Sequence, residues 1–569
     1  MYTASTAFLE ALEEAGVSYI FANFGSDHPG LIEALAQGTA SGRKFPQVIT
    51  CPSEMVALSC AHGYAQVTGR AQAVVVHVEC GTQSLGGAVH NAAKGRVPVL
   101  IYAGLSPATQ EGELKGSRNE FIQWIQDVSD QRGIVREYVK YDNEFRTGAN
   151  VKPLVHRAMQ IAHSEPRGPV YLVGARETME ATCEPTRTDT RRWSALGPGA
   201  LPEDAVARIV AALSAARRPI IVTSYVGRDP QAVAELVRLC NGLGIGLLES
   251  VPNAANYPHD DPLYQGNQWN QPFQNKVLAE ADVILVLDSD VPWIPTVSRP
   301  SLDATILHID VDPLKESTPL WYIGAHASYR ATALTALRQL NAYTDTHPAA
   351  AGGGAERRAH FERLHAERAA ALAEAEKPWA GRISPEYLTA RIRAHLDDST
   401  IVMNEGITSY PAICDHIMPV RPGSFFNSGG GSLGWNGGAA IGAKLARPGS
   451  TVVALTGDGS YMFAIPASVH WMARRYDTPF LQVVYNNGGW KAPRFSALAV
   501  HPHGHASRTE DLALSFAPAP DYGGIAAAAG GAFARQVSDP ADLDDALAEA
   551  FDVVRHGKRA AVLDVVLSD

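Results

Sequence analysis

The chain of 569 residues carries a formal net charge of −11 at pH 7, with 46% hydrophobic and 19% charged residues. That length allows about three domains with large buried cores, and the composition is ordinary for a soluble globular protein. An acidic balance without a long basic run argues against nucleic acid as the main partner, and no apolar run reaches the length of a membrane span. We therefore expect neither nucleic acid nor a membrane among the partners.

The cysteines and the first residues of the chain indicate a cytoplasmic protein. None of the six cysteines stands in a CxxC pair, which favours reduced thiols over disulfides or a zinc site. The first segment, MYTASTAFLEALEEAG, contains acids and no basic stretch, so we expect a first helix there and not a signal peptide.

Apolar β-branched runs that alternate with helical segments predict three doubly wound α/β domains with mainly parallel sheets. The predicted units are an N-terminal domain over 1–186, a central domain over 200–345, a linker with an exposed helix over 346–382, and a C-terminal domain over 383–569. The glycine-rich segment HPAAAGGGAERR is the clearest break. The clearest strands are predicted at Tyr19–Phe24, Val48–Cys51, Ala73–Val78, Val97–Ala103, Val170–Val173, Ile220–Thr223, Gly246–Glu249, Val283–Leu287, Thr305–Ile309, Thr451–Leu455 and Phe480–Tyr485.

The stretch between the last two of these strands predicts a βαβ unit, with a tight turn at Gly457-Asp458-Gly459 and a helix over about Ala464–Arg475. In parallel units ligands lie beyond the carboxyl ends of the strands, where Asp458 and Asn487 both fall. Glycine lets the backbone approach a phosphate, and carboxylate and amide oxygens suit Mg²⁺. An ordinary turn with an aspartate, followed by an Asn-Gly loop, is the alternative.

The GDG sequence followed by NN at this spacing resembles the diphosphate–metal motif of thiamine-diphosphate enzymes. The resemblance implies that Asp458, Asn487 and the carbonyl of Gly489 hold Mg²⁺, and that Gly459 and Ser460 contact the diphosphate. It also implies that the N-terminal domain binds the pyrimidine end of the cofactor (PYR domain) and the C-terminal domain the diphosphate end (PP domain).

The segment SEMVALSCAHGYAQVTG resembles the activating-glutamate segment of the pyruvate decarboxylase and acetolactate synthase superfamily. By that resemblance Glu54 bonds the aminopyrimidine ring, where a carboxyl is needed to share a proton with a ring nitrogen. The family places this glutamate on the neighbouring subunit, which implies a homodimer or homotetramer with active sites at the subunit interface. Alternatively, an acid in the first turn only stabilises the helix dipole.

His77 falls at the carboxyl end of the next predicted strand. Benzoylformate decarboxylases of the same superfamily have an active-site histidine at the same distance after their glutamate. The resemblance therefore implies that His77 binds the substrate carboxylate or transfers a proton, for which a pKa near neutrality is suitable. A lone histidine on a strand can also be purely structural.

The loop FGSDHPG resembles the family's FG-x-PG turn with two residues inserted. If the turn lies where the family has it, Ser26, Asp27 and His28 face the reacting carbon, and His28 is a candidate catalytic residue. Polar residues of a helix-capping loop are the alternative interpretation.

Two segments of the C-terminal domain extend the resemblance. NEGITSYP resembles a diphosphate-contacting segment of benzoylformate decarboxylase, which gives this role to Ile407 and Thr408. In GGGSLGWNGGAAIG, Leu433 takes the position of the bulky residue that imposes the V shape of the cofactor, and Gly431 would offer its carbonyl to the 4′-amino group. The same glycines match G-x-G-x-x-G, but no clear strand precedes them, so a dinucleotide site is the weaker interpretation.

Further pocket residues are implied by the position of relatives' active-site walls. The candidates are Gln123 in the N-terminal domain and Trp490, Ala492 and Phe495 after the Asn-Asn pair. The nearby histidines 501, 503 and 505 stand in a Gly/Pro loop without acids, which favours a surface or lid segment over a metal site.

Anabolic acetolactate synthases keep FAD in the middle domain, in a segment that carries an arginine. Here Asp288 and Asp290 occupy that segment, and we expect their charges to repel a flavin diphosphate, so FAD is unlikely. Together these patterns predict a thiamine-diphosphate- and Mg²⁺-dependent 2-keto acid decarboxylase/carboligase, acetolactate-synthase-like, which takes a 2-keto acid and in carboligation a second carbonyl acceptor. The alternatives are an FAD-containing acetolactate synthase and a non-catalytic cofactor-binding relative.

Overall fold

Three six-stranded sheets follow one another along the chain. The structure is a computed structural model that describes residues 1–348, 352–379, 381–510 and 512–568. Every pair of neighbouring strands in these sheets runs parallel. The predicted class of three α/β domains with parallel sheets is therefore confirmed.

The N-terminal sheet is buried on both faces. Its strands are β1 (Tyr19–Ala22), β2 (Gln47–Thr50), β3 (Ala73–Val76), β4 (Val99–Leu105), β5 (Asp142–Phe145) and β6 (Pro169–Ala175), in the order β2-β1-β3-β4-β6-β5. Its helices are α1 (Ala4–Glu14), α2 (Pro29–Ser41), α3 (Glu54–Thr68), α4 (Val78–Ser84), α5 (Gly86–Lys94), α6 (Ile122–Ile125), α7 (Val151–His163) and α8 (Arg176–Glu180). Along β3, Val74 and Val76 enter one core cluster and Val75 the other, as a doubly wound sheet requires.

The central sheet has a different strand order. Its strands are β7 (Pro219–Thr223), β8 (Gly246–Glu249), β9 (Tyr264–Asn267), β10 (Val283–Leu287), β11 (Thr305–Asp310) and β12 (Ala327–Arg330). Its helices are α9 (Glu203–Ala215), α10 (Pro230–Leu243), α11 (Lys276–Glu280) and α12 (Ala333–Thr346). The order β12-β11-β10-β7-β8-β9 is that of dinucleotide-binding domains, in which the order of strands across the sheet reverses between the first and fourth strands.

The C-terminal sheet repeats the topology of the N-terminal one. Its strands are β13 (Ile401–Glu405), β14 (Phe425–Asn427), β15 (Val452–Gly457), β16 (Leu481–Asn486), β17 (Phe533–Val537) and β18 (Ala561–Val566), in the order β14-β13-β15-β16-β18-β17. The helix α13 (Gly354–Ala375) precedes this domain, whose own helices are α14 (Pro385–Arg393), α15 (Tyr410–His416), α16 (Asn436–Ala446), α17 (Asp458–Phe463), α18 (Pro466–Arg475), α19 (Lys491–Val500), α20 (Tyr522–Gly530) and α21 (Leu543–Arg555).

The helix α13 in the predicted linker is less exposed than expected. Phe361 and Leu364 on one of its faces are buried in the core of the central domain, and the Phe361 ring occupies the space beside Gly246. The helix therefore packs on the central sheet, because it carries apolar residues at helical spacing among its charges. Residues 349–351 of the predicted glycine-rich break lie outside the described part of the chain.

Helices α3 and α16 join the N-terminal and C-terminal domains at close range. At Gly442 a Cβ atom would lie 2.0 Å from the carbonyl oxygen of Cys60, and at Gly438 it would lie 2.7 Å from the Cβ of Ser59. Only glycine permits this approach. The contact brings the beginnings of both helices to the same end of the interface, where Met55 touches Gly434.

The predicted helix after Asp458 differs from the observed one. Helix α17 begins at Asp458 itself, breaks at Ile465 with φ 54°, and continues as α18 from Pro466. Proline has no N–H to donate and is favoured at a helix start, so the chain restarts the helix there.

The described part of the chain has no helix with the length and apolar character needed to cross a membrane. The six cysteines are free thiols, four of them buried, whereas Cys80 is exposed and Cys183 is half-buried.

Candidate active site

The strand order of the C-terminal sheet reverses between β13 and β15, which makes the carboxyl ends of these strands the expected ligand crevice. Ile407 and Thr408 follow β13 in a short 3-10 turn, and Asp458 follows β15. Asn487 follows the adjacent strand β16, and its Nδ2 donates to Thr408 Oγ1 at 3.0 Å. The fold thus brings the residues predicted from separate motifs to one edge of the sheet.

Asp458 is buried, with its carboxylate fixed by backbone donors. Its Oδ1 accepts the N–H of Gly459 and its Oδ2 the N–H of Gly489, each at 2.8 Å. Burial raises the pKa of Asp458, although these N–H groups act in the opposite direction. A cation would supply the charge that this buried carboxylate needs to remain ionised.

Two buried oxygen atoms beside Asp458 have no protein partner among the described residues. They are the amide Oδ1 of Asn487 and the hydroxyl Oγ of Ser460. A buried polar atom without a hydrogen bond is costly, and in native proteins it usually faces a ligand, ion or water. The donor set of carboxylate, amide oxygen and the Gly489 carbonyl fits Mg²⁺, and the Ser460 hydroxyl fits a phosphate oxygen. The Gly489 carbonyl also accepts the N–H of Lys491 at 3.0 Å.

Trp490 forms one wall of this crevice. A Cβ atom at Gly459 would lie 2.3 Å from the Trp490 ring, so only glycine fits beside the indole. The indole packs edge-on against Phe516 at 5.0 Å between ring centroids. Ala492 and Phe495 follow on α19 and are exposed.

The loop that carries Gly431 and Leu433 is held by the N-terminal domain. Asn91 pairs with the backbone of Ser432 in both directions, at 2.8 and 3.0 Å, and the N–H of Gly431 donates to His90 Nε2 at 3.1 Å. A short strand, β14, does precede this glycine run, contrary to expectation. The run nevertheless packs against the end of α5 of the N-terminal domain, where a Cβ atom at Gly429 would lie 2.3 Å from the Cα of Gly95, so this glycine serves a contact between domains.

Glu405 supports the same loop from the sheet side and was not predicted as a site residue. Its buried carboxylate accepts the N–H groups of Gly434 and Asn436 at the start of α16. Burial raises the pKa of Glu405 to about 8, against the opposite effect of these donors. The residue lies inside the NEGITSYP motif, so its position was visible in the sequence, but its partner loop was not.

The N-terminal sheet has the equivalent crevice between β1 and β3. The loop after β1 carries Ser26, Asp27 and His28, and His77 follows β3 as the residue before α4. Asp27 and His28 are buried, and the Oγ of Ser26 is buried without a partner among the described residues. The expected juxtaposition of this loop with His77 is therefore present.

Asp27 is the centre of this second cluster. Its Oδ1 lies 2.5 Å from His77 Nδ1 and 3.0 Å from His28 Nδ1, and its Oδ2 accepts the N–H of Val78 at 3.0 Å. Burial acts to raise the pKa of Asp27, but the two histidines outweigh it and lower the pKa. The hydrogen bond to Asp27 is the largest of the effects that raise the pKa of His77.

The glutamine that reaches His77 is Gln126, whose Oε1 lies 3.1 Å from His77 Nε2. Gln123, the predicted pocket residue, is buried, and its Oε1 accepts the N–H groups of Asn119 and Glu120 at 2.8 and 3.3 Å. Sequence reasoning missed Gln126 because both glutamines lie in one irregular segment without a repeating pattern.

Glu54 is the first residue of α3 and is half-buried. Burial raises its pKa, which the nearby His77 partly offsets. A carboxyl whose protonated form is favoured can share a proton with a ring nitrogen. Glu54 and His77 both lie at the carboxyl edge of the N-terminal sheet.

The reversal point of the central sheet, beyond β7 and β10, is filled by side chains. Arg96 of the N-terminal domain enters it and contacts Asp288, Asp290 and Asp310 at 2.7, 2.6 and 3.1 Å. Lys315 adds contacts of 2.8 Å to Asp290 and 2.7 Å to Asp310. The expectation that Asp288 and Asp290 repel a flavin diphosphate was therefore wrong in its reason, because their charges are neutralised. A cavity of about 450 Å³ remains beside the cluster.

Family models of thiamine pyrophosphate enzymes match the chain in three places. The N-terminal TPP binding domain matches residues 2–134, the central domain 206–318 and the C-terminal TPP binding domain 406–565. Each range covers a large part of one sheet, and the order along the chain is the same: β1–β4, β7–β11 and β14–β17 lie wholly within them.

Curated relatives and solved structures show the same likeness over nearly the whole chain. Benzoylformate decarboxylase of Pseudomonas aeruginosa is 25% identical over 87% of this chain and 88% of its own length, and acetolactate synthase of Bacillus subtilis is 24% identical over 86% and 82%. The thiamine diphosphate-dependent 4-hydroxybenzoylformate decarboxylase of Rhodococcus jostii RHA1 superposes with a TM-score of 0.78 over 100% of this chain and 99% of its own, at 21% identity. The chain belongs to the thiamine pyrophosphate enzymes, in the group that contains the decarboxylases and acetolactate synthases.

Proposed function

We propose that this protein is a thiamine-diphosphate- and Mg²⁺-dependent 2-keto acid decarboxylase/carboligase of the acetolactate-synthase-like type. Its product would be an aldehyde, or an acyloin or acetohydroxy acid when a second carbonyl compound is the acceptor. One observation carries the proposal: at the C-terminal crevice, the atoms Asn487 Oδ1 and Ser460 Oγ are buried near the carboxylate of Asp458 without a hydrogen-bond partner in the described part of the chain. Such a set of oxygens is suited to a diphosphate bound through a hard cation.

In this proposal Asp458, Asn487 and the Gly489 carbonyl hold Mg²⁺, while Gly459 and Ser460 contact the diphosphate. The backbone of Ile407 and the hydroxyl of Thr408, which anchors Asn487, complete that end of the site. When bound, the cofactor supplies the electron sink that permits cleavage of the bond between a ketone carbon and a carboxylate.

At the other end Glu54 would hold the aminopyrimidine ring and would supply the carboxyl that shares a proton with the ring nitrogen. Leu433 and the Gly431 carbonyl would hold the middle of the cofactor, on a loop that Asn91 and Glu405 hold in place. A fixed loop is what such a positioning role requires.

In this proposal the substrate binds at the N-terminal crevice. His77 is held between two hydrogen-bonding partners, so its ring can face a 2-keto acid carboxylate in a fixed orientation. Ser26 and His28 lie in the loop beside it, with Gln123, Trp490, Ala492 and Phe495 as further candidate walls.

We propose a homodimer or homotetramer in which Glu54 of one subunit serves the diphosphate site of another. Apolar side chains support this: Met462, Phe463 and Ile465, which follow the Asp458 turn, are 39–50% exposed in the single chain, and exposed apolar clusters favour an interface. The reduced, mostly buried cysteines agree with a cytoplasmic location.

The test is incubation of the protein with thiamine diphosphate, Mg²⁺ and a panel of aliphatic and aromatic 2-keto acids. We expect CO₂ release that depends on both additions, with products identified by mass spectrometry. Cofactor binding without CO₂ from any member of the panel would instead support a non-catalytic relative. Failure to bind thiamine diphosphate would overturn the proposal entirely.

An FAD-containing acetolactate synthase is the second candidate, because acetolactate synthases are among the curated relatives. We propose that no flavin is bound, since Arg96 and Lys315 occupy the reversal point of the central sheet, where a dinucleotide phosphate would lie. The absorption spectrum of the purified protein decides: flavin bands in stoichiometric amount would support the second candidate.

A further inference from the structure

Asp27 and Gln126 contact opposite nitrogen atoms of the His77 ring. Asp27 Oδ1 lies 2.5 Å from Nδ1, and Gln126 Oε1 lies 3.1 Å from Nε2. Asp27 is fully enclosed, whereas the His77 side chain is 23% exposed. His77 is thus accessible from the crevice, while the carboxylate behind it is not.

The carboxylate of Asp27 lies between two imidazole rings and makes its shorter contact with His77. Its second oxygen is occupied by the N–H of Val78 at 3.0 Å. Nδ1 of the other ring, His28, lies 3.0 Å from Asp27 Oδ1 and is shared with the N–H of Gly25 at 3.0 Å. Asp27 therefore keeps a proton on Nδ1 of His77.

The side-chain amide of Gln126 faces His77 Nε2 with its oxygen atom. Its Nε2 is buried without a partner among the described residues. An amide presents an acceptor in one orientation and a donor after a half-turn. Its oxygen matches an Nε2 that carries a proton, and its NH₂ matches an Nε2 that has lost one.

We propose that Gln126 follows the proton on His77 Nε2 by rotation of its amide, and that Asp27 is the positioning residue that reserves Nε2 for proton transfer. This inference rests on the proposed function. His77 would meet the substrate carboxylate as an imidazolium. When CO₂ leaves, the electron pair of the broken C–C bond remains on the former ketone carbon; the Nε2–H bond then breaks, its proton forms a C–H bond at that carbon, and water returns a proton to Nε2.

Several groups set the protonation of His77. The hydrogen bond that His77 donates to Asp27 raises the pKa of His77 most, and burial lowers it. Gln126 and the carboxylate of Glu54 raise it further, with a raised pKa as the net result. A raised pKa means that the charged form and the stability it contributes are present at low pH and are lost as pH rises through the raised value. The imidazolium should therefore persist to higher pH than an exposed histidine.

The first test measures protonation in the cofactor-free protein. Reaction of each histidine with diethyl pyrocarbonate, which modifies only neutral imidazole, is followed against pH by peptide mass spectrometry, with exposed His503 as the internal reference. We expect the midpoint of His77 to lie above that of His503, to fall by about one to two pH units in Asp27→Asn, and to rise in Gln126→Glu. Equal midpoints in wild type, or no shift in either variant, would overturn the proposal.

The second test uses the holoenzyme and the substrate that the panel identifies. The carboxylate of Gln126→Glu can only accept, so it would keep the proton on His77 Nε2. We expect kcat of Gln126→Glu to fall at least tenfold with little change in KM, and we expect a smaller fall in kcat for Gln126→Leu. Unchanged kcat in Gln126→Glu contradicts the rotating amide. If wild type releases no CO₂, the proposed function fails, but the titration still decides how His77 is held. Gln126→Glu keeps the test informative if Asp27→Asn unfolds.

Discussion

At the scale of single residues, Asp458 is the side chain on which the proposed cofactor site depends most. It is buried, and among the described residues its carboxylate accepts backbone N–H groups. We expect Asp458→Ala to abolish Mg²⁺-dependent binding of thiamine diphosphate, measured by calorimetry, because the cation loses its one charged protein ligand. The matched control is Asp539→Ala, which removes an aspartate that caps a short helix elsewhere in the domain. Retained affinity in Asp458→Ala would refute the metal assignment.

Glu54 is expected to act in chemistry and not in binding. Its pKa is raised by burial, so the carboxyl can hold the proton that a ring nitrogen shares. Glu54→Gln keeps the size of the side chain but cannot exchange a proton. We therefore expect near-normal cofactor affinity and at least a hundredfold slower H/D exchange at C2 of bound thiamine diphosphate. That loss lies in the range typical of acid–base groups (about 10²–10⁴). Exposed Glu33→Gln should leave the exchange rate as in wild type. A normal rate in Glu54→Gln would remove this residue from the mechanism.

Residues of the site were predictable where a local motif places them at a strand end. Asp458, Asn487 and His77 meet that condition, because the carboxyl ends of parallel strands share one edge. Gln126, Asn91 and the partner loop of Glu405 do not, because their contacts join segments far apart in sequence. The periodicity of a sequence does not predict contacts between distant segments.

At the scale of elements, the contact of α3 with α16 depends on glycines. A methyl group at Gly442 would lie 2.0 Å from the Cys60 carbonyl oxygen, and a backbone atom cannot rotate away. We expect Gly442→Ala to lower stability by about 1–3 kcal/mol, as overpacking does, and to lower the melting temperature in calorimetry. Gly449→Ala is the control, because nothing lies within 4 Å of its added methyl group. Equal melting temperatures for the two variants would contradict the packing argument.

Most strands that sequence patterns identified are buried inner ones with apolar runs, and the edge strand β2 is the exception. Seven strands were not predicted: the inner strands β13 and β18 and the edge strands β5, β9, β12, β14 and β17, of which β5, β9 and β12 are four residues long. Two of them, DNEF and ASYR, are partly exposed and mostly polar. Short edge strands form because a neighbour offers hydrogen bonds, and that neighbour is not visible in their own composition.

At the scale of the whole molecule, Arg96 joins the N-terminal domain to the central one. It is buried, lies 4.5 Å from the Tyr225 ring centroid, and contacts three aspartates that, among the described residues, Lys315 and Arg228 also contact. Arg96→Met fills similar space but leaves three carboxylates with two cations, and breaking a buried ion pair typically costs about 3–5 kcal/mol. We expect earlier cleavage between the two domains in limited proteolysis and a lower melting temperature. The control is Arg338→Met, which removes a half-exposed arginine lining the adjacent cavity.

The loss of stability in Arg96→Met should depend on pH. Because protonation of an aspartate removes its unpaired charge, this loss should become smaller as pH falls toward 4. An equal loss at pH 4.5 and pH 8 would show that Arg96 acts through packing and not through charge.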